Sequence, residues 1–407
     1  MQPVEIKKDI FWVGAVDWHI RDFHGYSTPK GTTYNAYLVM DEKVALFDTV
    51  KKPFTRELVA SIREIVDPRR IDYLVVNHVE MDHSGAVPEM IELIGPEKVV
   101  CSPMGKKALI EHYHRENWPF EVVESGGGLS LGKRSVSFLE TRMLHWPDSM
   151  MSYIPEEKLL ISSDGFGQHW ATSQRFDDEV DSGELMSHAA KYYANILLLF
   201  SPLVRKLIAK VAEMGIEIDM IAPDHGLIWR SDPGAIIEAY GRWSKQESAR
   251  KALIVYDTMW QATELMACAI SDGLKSEGVD FKIFSLKHNH RSDIMTEVLD
   301  ARALILGSPT LNNGLMPLVA DFLCYMKGLR PAGKIGAAFG SYGWSGESVK
   351  LITEAMREMK IKMDEEGVLV QFAPGKEDLA RCFDLGKRLA RSMIAMESAG
   401  TSPAAKA

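Results

Sequence analysis

Cysteine is scarce in this chain and never clustered. The four residues Cys101, Cys268, Cys324 and Cys382 form no Cys-x-x-Cys pair. That excludes a zinc ribbon and a cysteine-ligated iron or iron–sulfur module. Scattered single cysteines fit a reducing compartment and buried packing roles. Long apolar runs are also missing. The longest strongly apolar stretch lies near Ile196–Phe200, too short to span a bilayer. The opening MQPVEIKKDIFWVG lacks the apolar core of a signal peptide. A cytoplasmic location is expected. Positive charge is not in excess either. The net charge is −9, which argues against broad nucleic-acid binding. Neither GxxxxGK[ST] nor GxGxxG occurs, so a P-loop and a dinucleotide fingerprint are both excluded. No internal repeat or low-complexity segment is visible.

What is present is apolar material for two cores: 46% of 407 residues are hydrophobic and 25% charged. The rhythm changes near Ser248–Lys251. Residues 1–249 mix strands with later helices. Strands are predicted at Phe11–Trp18, Thr33–Met40, Val44–Val50, Ile71–Asn77, Val99–Cys101 and Glu121–Val123. A hairpin at Ser130–Thr141 turns at Gly132-Lys133, and Ser149–Ile154 and Lys158–Ser162 flank a Pro155-Glu156-Glu157 turn. A helix over Thr55–Val66 stops at Asp67-Pro68, and helices dominate from Gly183 to Met214. Residues 250–400 instead repeat strand and helix five times, starting with KALIVYDT. That pattern predicts a doubly wound, five-stranded parallel sheet. The small, polar residues 401–407 are expected to form a flexible tail.

Two constellations carry chemistry. NHVEMDHSG (77–85) packs His78, Glu80, Asp82 and His83 into six positions. In an extended segment, alternate residues share one side, so His78, Glu80 and Asp82 converge. Strict alternation turns His83 away from Asp82's side. His145, Asp164 and His225 each follow a short apolar strand downstream. Six or seven such ligands exceed what one ion takes from protein, and suit two ions with a bridging carboxylate. The oxygen-rich, thiolate-free set favours iron or manganese.

The second constellation lies in three loops of the parallel sheet, beyond the strand ends where such folds bind ligands. DTMWQAT opens a helix, and its backbone N–H groups suit a single phosphate, hence a mononucleotide. Thr258, Gln261, Ala262 and Thr263 are the expected phosphate contacts, with Met259 and Trp260 in the same loop. Pro309, Thr310, Leu311, Asn312, Gly343 and Trp344 are expected against a flat ring. Asn313, Gly314, Ser341, Tyr342, Ser345 and Gly346 complete these cofactor-binding loops.

HVEMDH is similar to the metallo-β-lactamase-fold signature H-x-H-x-D-H with its second histidine replaced by glutamate. Together with the flavodoxin-like second half, the chain resembles the flavodiiron proteins. DWHIRDFHGYSTPKGTTYNAYLV, ETRMLHWPDSM, KYYANI, APDHG and GSYGWSGES match the family as well. The resemblance implies a metallo-β-lactamase-like αββα sandwich followed by a flavodoxin-like domain. It implies FMN and two irons. One iron would be held by His78, Glu80 and His145, the other by Asp82 and His225. Asp164 and an oxo or hydroxo group would bridge them, with His83 a further candidate. His24 and Tyr192, or alternatively Tyr193, would stand over the open face as catalytic residues. Phe166, Trp146 and Tyr192 are expected to form an apolar lid. The implied activity is reduction of O2 to water, or of NO to N2O, by electrons passing through FMN. A head-to-tail homodimer or dimer of dimers is implied. So is a separate donor, a rubredoxin or, as in some methanogen members, a reduced deazaflavin coenzyme. A dizinc hydrolase and a metal-free electron carrier are the alternatives.

Overall fold

The computed structural model describes residues 2–400, with side chains to residue 397; the tail expected at 401–407 lies outside the described residues. Two compact units are present. One takes the chain up to Tyr193 and then Phe200–Gly241; the other takes Ala194–Leu199 and the chain from Arg242 on.

Beside two short two-stranded ribbons, unit one is built on two large sheets. In the first, seven strands lie side by side in chain order: β1 (Val4–Lys7), β2 (Ile10–Trp12), β3 (Tyr37–Val39), β4 (Val44–Phe47), β5 (Ile71–Val76), β6 (Lys98–Cys101) and β7 (Phe120–Val122). Pairing is antiparallel to β4 and parallel from β4 to β7. The second has five: β8 (Gly128–Ser130), β9 (Ser135–Glu140), β10 (Met150–Ile154), β11 (Leu159–Ile161) and β12 (Met220–Ala222), parallel only between β11 and β12. The two-residue period of β5 divides its side chains between two cores. Tyr73 and Val75 enter the core shared with the second sheet, among Phe138, Met150 and Ile161. Leu74 and Val76 face Leu58, Ile62, Met90 and Leu109 from the helices Thr55–Ile65, Val87–Ile94 and Pro103–Tyr113.

Several predicted strands are shorter than expected. Phe11–Trp18 and Thr33–Met40 each break in the middle, leaving a ribbon of Ala15–Asp17 with Thr32–Tyr34. Where the second breaks, Asn35 donates its backbone N–H to Asp224 O and its amide to Pro223 O and Gly226 O. Those bonds replace the ladder and fix the loop that carries His225. The spacing also missed the helices Val87–Ile94, Pro103–Tyr113 and Pro233–Ser244 and the strand β12.

Unit two is the expected parallel sheet: β13 (Lys251–Tyr256), β14 (Asp280–Ser285), β15 (Ala303–Gly307) and β16 (Ile335–Tyr342), ordered β14-β13-β15-β16. Its fifth position differs. It is divided between β17 (Lys362–Met363), on the first half of β16, and β18 (Val368–Gln371), on the second. Asp364 still donates its N–H to Gly336 O at 2.7 Å while its carboxylate pairs with Arg388, and pairing on β16 resumes only at Val368. Cys101 and Cys382 are buried, but Cys268 and Cys324 are exposed, so packing accounts for only two of the four. Among the described residues no helix is long and apolar enough to cross a membrane.

Candidate functional site

The segment after β5 does not continue as a strand. Asn77 donates its N–H and its side-chain amide to the two oxygens of Asp48, both at 2.7 Å. Ser152 donates its hydroxyl to Asn77 Oδ1 at 2.7 Å, and the Asn77 backbone carbonyl accepts from Met150 N–H at 3.0 Å. The backbone is pulled off the ladder there and becomes a helical turn, Met81–Ser84, whose first N–H groups (His83, Ser84) bond to Glu80 O at 2.9 Å. The strict alternation expected for 78–83 therefore fails. On a helical turn Asp82 and His83 are adjacent and face one point: His83 Nε2 lies 3.3 Å from Asp82 Oδ2.

Seven side chains meet in two groups. The first is His78, Glu80, His145 and Asp164; the second is Asp82, His83 and His225; in each, donor atoms lie within 4.8 Å of one another. In the first, His145 Nε2 is 3.1 Å from Glu80 Oε2 and 3.0 Å from Asp164 Oδ2. His78 Nε2 is 3.4 Å from Glu80 Oε2 and 3.3 Å from Asp164 Oδ2. In the second, His225 Nε2 is 3.1 Å from Asp82 Oδ2, and His83 and His225 lie 3.4 and 3.5 Å from Asp164 Oδ1. Asp164 thus turns one oxygen to each group.

The donor set fits a pair of cations. His78 Nε2, both oxygens of Asp82, both nitrogens of His83 and Asp164 Oδ2 are buried without a hydrogen-bond partner. Native interiors rarely leave such atoms unsatisfied. Imidazole and carboxylate donors without thiolate suit iron or manganese. Burial pushes the carboxyls up, but the facing imidazoles hold Glu80, Asp82 and Asp164 below the ordinary carboxylate range. Burial likewise opposes charge on His145, yet Asp164 and Glu80 raise it to about 9. The carboxylates are thereby kept ionised, as ligation of a cation requires, and a bound cation would displace the protons of the facing imidazoles.

Outer contacts orient the ligand candidates. His78 Nδ1 faces Asp148 Oδ2 at 2.9 Å, and that oxygen also accepts the N–H of Val79. His225 Nδ1 donates to Thr33 O at 2.6 Å. Gly226 follows at φ +80°, and a Cβ there would meet Gln168 Oε1 at 1.3 Å, so the loop needs glycine. Beneath His83 lies the buried Asp224, whose carboxyl burial pushes well up. Tyr192 donates to Asp164 Oδ1 at 2.8 Å. Tyr193 instead pairs with Ser201 and packs on Tyr240. His24 is largely exposed, with Nε2 3.6 Å from Glu80 Oε1. The expected lid is only partly assembled. Trp146 stands edge-on to His78, but Phe166 packs on Tyr240. Phe23 borders His24, His169 and His225 instead. Asp148, Thr33, Asp224, Phe23 and His169 were not singled out from the sequence. The first and third could have been, as carboxylates beside ligand candidates in WPDS and APDHG.

In unit two the three loops meet at the C-terminal strand ends. Thr310 N bonds to Ser341 O at 2.8 Å, Thr263 Oγ1 lies 3.4 Å from Ser341 Oγ, and Ser345 Oγ reaches Asn313 Oδ1 at 3.2 Å. Leu311 and Gly314 exchange backbone bonds around Asn312 and Asn313, both left-handed. Gln261 is left-handed too and opens the helix Ala262–Ser276. The Thr258 hydroxyl beside that helix start is buried without a partner, while Thr258 N–H is committed to Asp257 Oδ1 at 2.7 Å. Trp260 and Trp344 are 98% and 91% exposed, leaving two aromatic faces open on these loops. Phe372, 66% exposed beside Gly343, is a third aromatic that the sequence reading passed over. A partnerless hydroxyl shortly before a helix start, with exposed aromatic faces on the same loops, fits a flavin mononucleotide.

Comparison with known proteins agrees with both units. Residues 32–226 match the family described as ODP family beta lactamase, and residues 254–386 match flavodoxin. The chain is 51% identical to the nitric oxide reductase of Moorella thermoacetica, over 96% of this chain and 98% of that one. The solved rubredoxin oxygen:oxidoreductase of Desulfovibrio gigas superposes with a TM-score of 0.95 at 46% identity, covering 97% and 99%. A protein of Giardia intestinalis solved as a flavodiiron protein gives 0.93 at 37% identity, covering 97% of each chain.

Proposed function

The chain belongs to the flavodiiron protein family, and on that premise we propose that it takes electrons from an external donor and reduces O2 to water. FMN and two irons are its cofactors. The reading rests above all on Asp164, whose two oxygens face two separate groups of buried or half-buried donors. His78, Glu80 and His145 would hold one iron, and Asp82, His83 and His225 the other, with Asp164 between them. When bound, FMN stores electrons and passes them singly, and the irons supply open positions for a diatomic gas. The protein's own part is placement. Asp148 and Thr33 orient His78 and His225. Tyr192 holds a proton at its phenolic oxygen, directed at Asp164 Oδ1. Trp146 and Phe23 limit water around the histidines.

Each O2 takes four electrons and four protons to give two waters. The second reading is reduction of two NO, with two electrons and two protons, to N2O and water. It is favoured by the name of the Moorella relative, as the first is by that of the Desulfovibrio one. Glu80 within the first donor group and the flavodoxin unit both oppose a dizinc hydrolase.

The metal centre is assigned to residues 1–249 and the FMN site to 250–400, in a cytoplasmic protein. The two sites lie in different units, so a head-to-tail homodimer, or a dimer of such dimers, would bring one chain's FMN to the other's irons. A rubredoxin or a reduced coenzyme is the proposed donor, the first supported by the name of the Desulfovibrio relative. The test is steady-state loss of O2 and of NO, each in anaerobically prepared cells, with iron- and FMN-loaded protein and excess reduced rubredoxin. Faster O2 loss without peroxide supports the first reading; faster NO loss with N2O supports the second. Turnover of neither gas by fully loaded protein, with reduced coenzyme tried in turn, overturns both.

A further inference from the structure

We propose that Lys287 is the residue that makes the phosphate loop of unit two able to hold a phosphate monoester, by neutralising the buried Asp257 at its base. The inference rests on the FMN reading of this pocket and assigns it a residue outside the three loops.

The loop DTMWQAT begins with a liability. Asp257 is 1% exposed and stands at the end of β13, where the phosphate is expected. Its Oδ1 takes the Thr258 N–H at 2.7 Å. One backbone donor is thereby removed from the cradle, and a carboxylate is placed beside it. The helix that begins at Ala262 offers about half a positive charge at its N-terminus. A neighbouring carboxylate offsets that contribution at short range.

The compensating charge comes from the next strand. Tyr256 and Ser285 are partners at the ends of the parallel pair β13–β14, and Leu286 N bonds to Tyr256 O at 2.9 Å. This register sets Lys287 beside Asp257 and Thr258. Lys287 Nζ donates to Thr258 O at 2.8 Å and lies 3.4 Å from Asp257 Oδ1. The ammonium therefore does two things. It cancels the buried carboxylate, and it clamps the carbonyl of Thr258, whose hydroxyl is buried without a partner three residues before Gln261, where the helix opens. The lysine follows a different strand, so the loop's own sequence carries no sign of it.

The experiment titrates the full-length, FMN-stripped protein with FMN and with riboflavin, which lacks the phosphate. Lys287→Met is expected to weaken FMN about tenfold at low salt and to leave riboflavin within about twofold. Lys287→Arg should keep most of the FMN affinity. Adding Asp257→Asn to Lys287→Met should restore most of the loss. The deficit should shrink near 1 M salt, where the Debye length falls to about 3 Å. Equal loss for FMN and riboflavin would reduce Lys287 to loop scaffolding and overturn the proposal. So would unchanged FMN binding, or no rescue in the double variant. Wild-type protein holding FMN no tighter than riboflavin would instead overturn the pocket reading itself, and the proposal with it.

Discussion

Tyr192 donates its phenolic hydrogen to Asp164 Oδ1 across 2.8 Å, and both side chains are buried. That oxygen is the one turned toward His83 and His225. Burial and the Asp164 carboxylate keep the phenol far above its ordinary pKa, so Tyr192 stays a neutral donor. Tyr192→Phe removes one hydroxyl and no ligand candidate. It should leave iron content intact while kcat for the preferred gas falls about 10²-fold, the scale of a lost proton donor. Tyr193→Phe is the control, since its hydroxyl meets Ser201. Iron analysis and gas consumption on both variants decide between a proton-holding Tyr192 and a packing one.

Asp148 is placed to do for His78 what no residue of the HVEMDH motif can. It accepts from Val79 N–H at 2.7 Å and faces His78 Nδ1 at 2.9 Å, leaving Nε2 for the donor group. Burial would raise its carboxyl, yet the His78 contact holds it below the usual range. Asp148→Ala should weaken iron binding about 10- to 100-fold, as outer-contact losses at metal histidines do. Competition with a chelator of known affinity measures this. FMN content, on the other unit, should not change.

These contacts mark where sequence reasoning stopped. The residue types in 77–85 and the strand-end positions of His145, Asp164 and His225 were legible from spacing and chemistry, and the structure brings all seven together. The β–α alternation of unit two was equally plain, because buried parallel strands read as continuous apolar runs. The orientation of His83 was not legible. It depends on Asn77 being drawn to Asp48 and Glu80 O opening a helical turn, and a two-residue period cannot show either. Asp148 and Thr33 act across 70 and 192 positions, beyond any local pattern. The divided fifth strand escaped as well: Asp364 still bonds to Gly336 O, and the chain leaves the ladder only between it and Val368, which no local pattern shows.

His24 offers the opposite case to Tyr192, a candidate that is exposed. Its Nε2 stands 3.6 Å from Glu80 Oε1, too long for a hydrogen bond, and its side chain is 79% exposed. Little stability can depend on it. His24→Ala should change unfolding free energy by less than about 0.5 kcal/mol, the range of surface substitutions. Iron and FMN content should also hold. If His24 meets the incoming gas or its protons, the ratio of O2 to NO turnover will shift. An unchanged ratio with unchanged rates would remove His24 from the site.

Lys334 gives a pH dependence whose sign can be worked out. It is 3% exposed at the start of β16, the end of the sheet opposite the loops, with Nζ 3.2 Å from Leu299 O. Burial lowers its pKa from 10.5 to about 8, with Asp300 opposing. Between these values the unfolded chain binds the proton and the folded chain does not, so stability rises as pH increases through that window. Below pH 8 both states are charged, and the folded state bears the whole cost of burying an ammonium, about 3 kcal/mol. Lys334→Met removes that cost together with one hydrogen bond of about 1 kcal/mol. The variant should therefore be about 2 kcal/mol more stable than wild type at pH 7, with the difference closing by about pH 10, where the remaining cost matches the lost hydrogen bond, and reversing above it. Urea unfolding of unit two, followed by flavin release at pH 7 and at pH 10, measures both points. A variant no more stable at pH 7 would show that the Lys334 ammonium is adequately solvated where it lies.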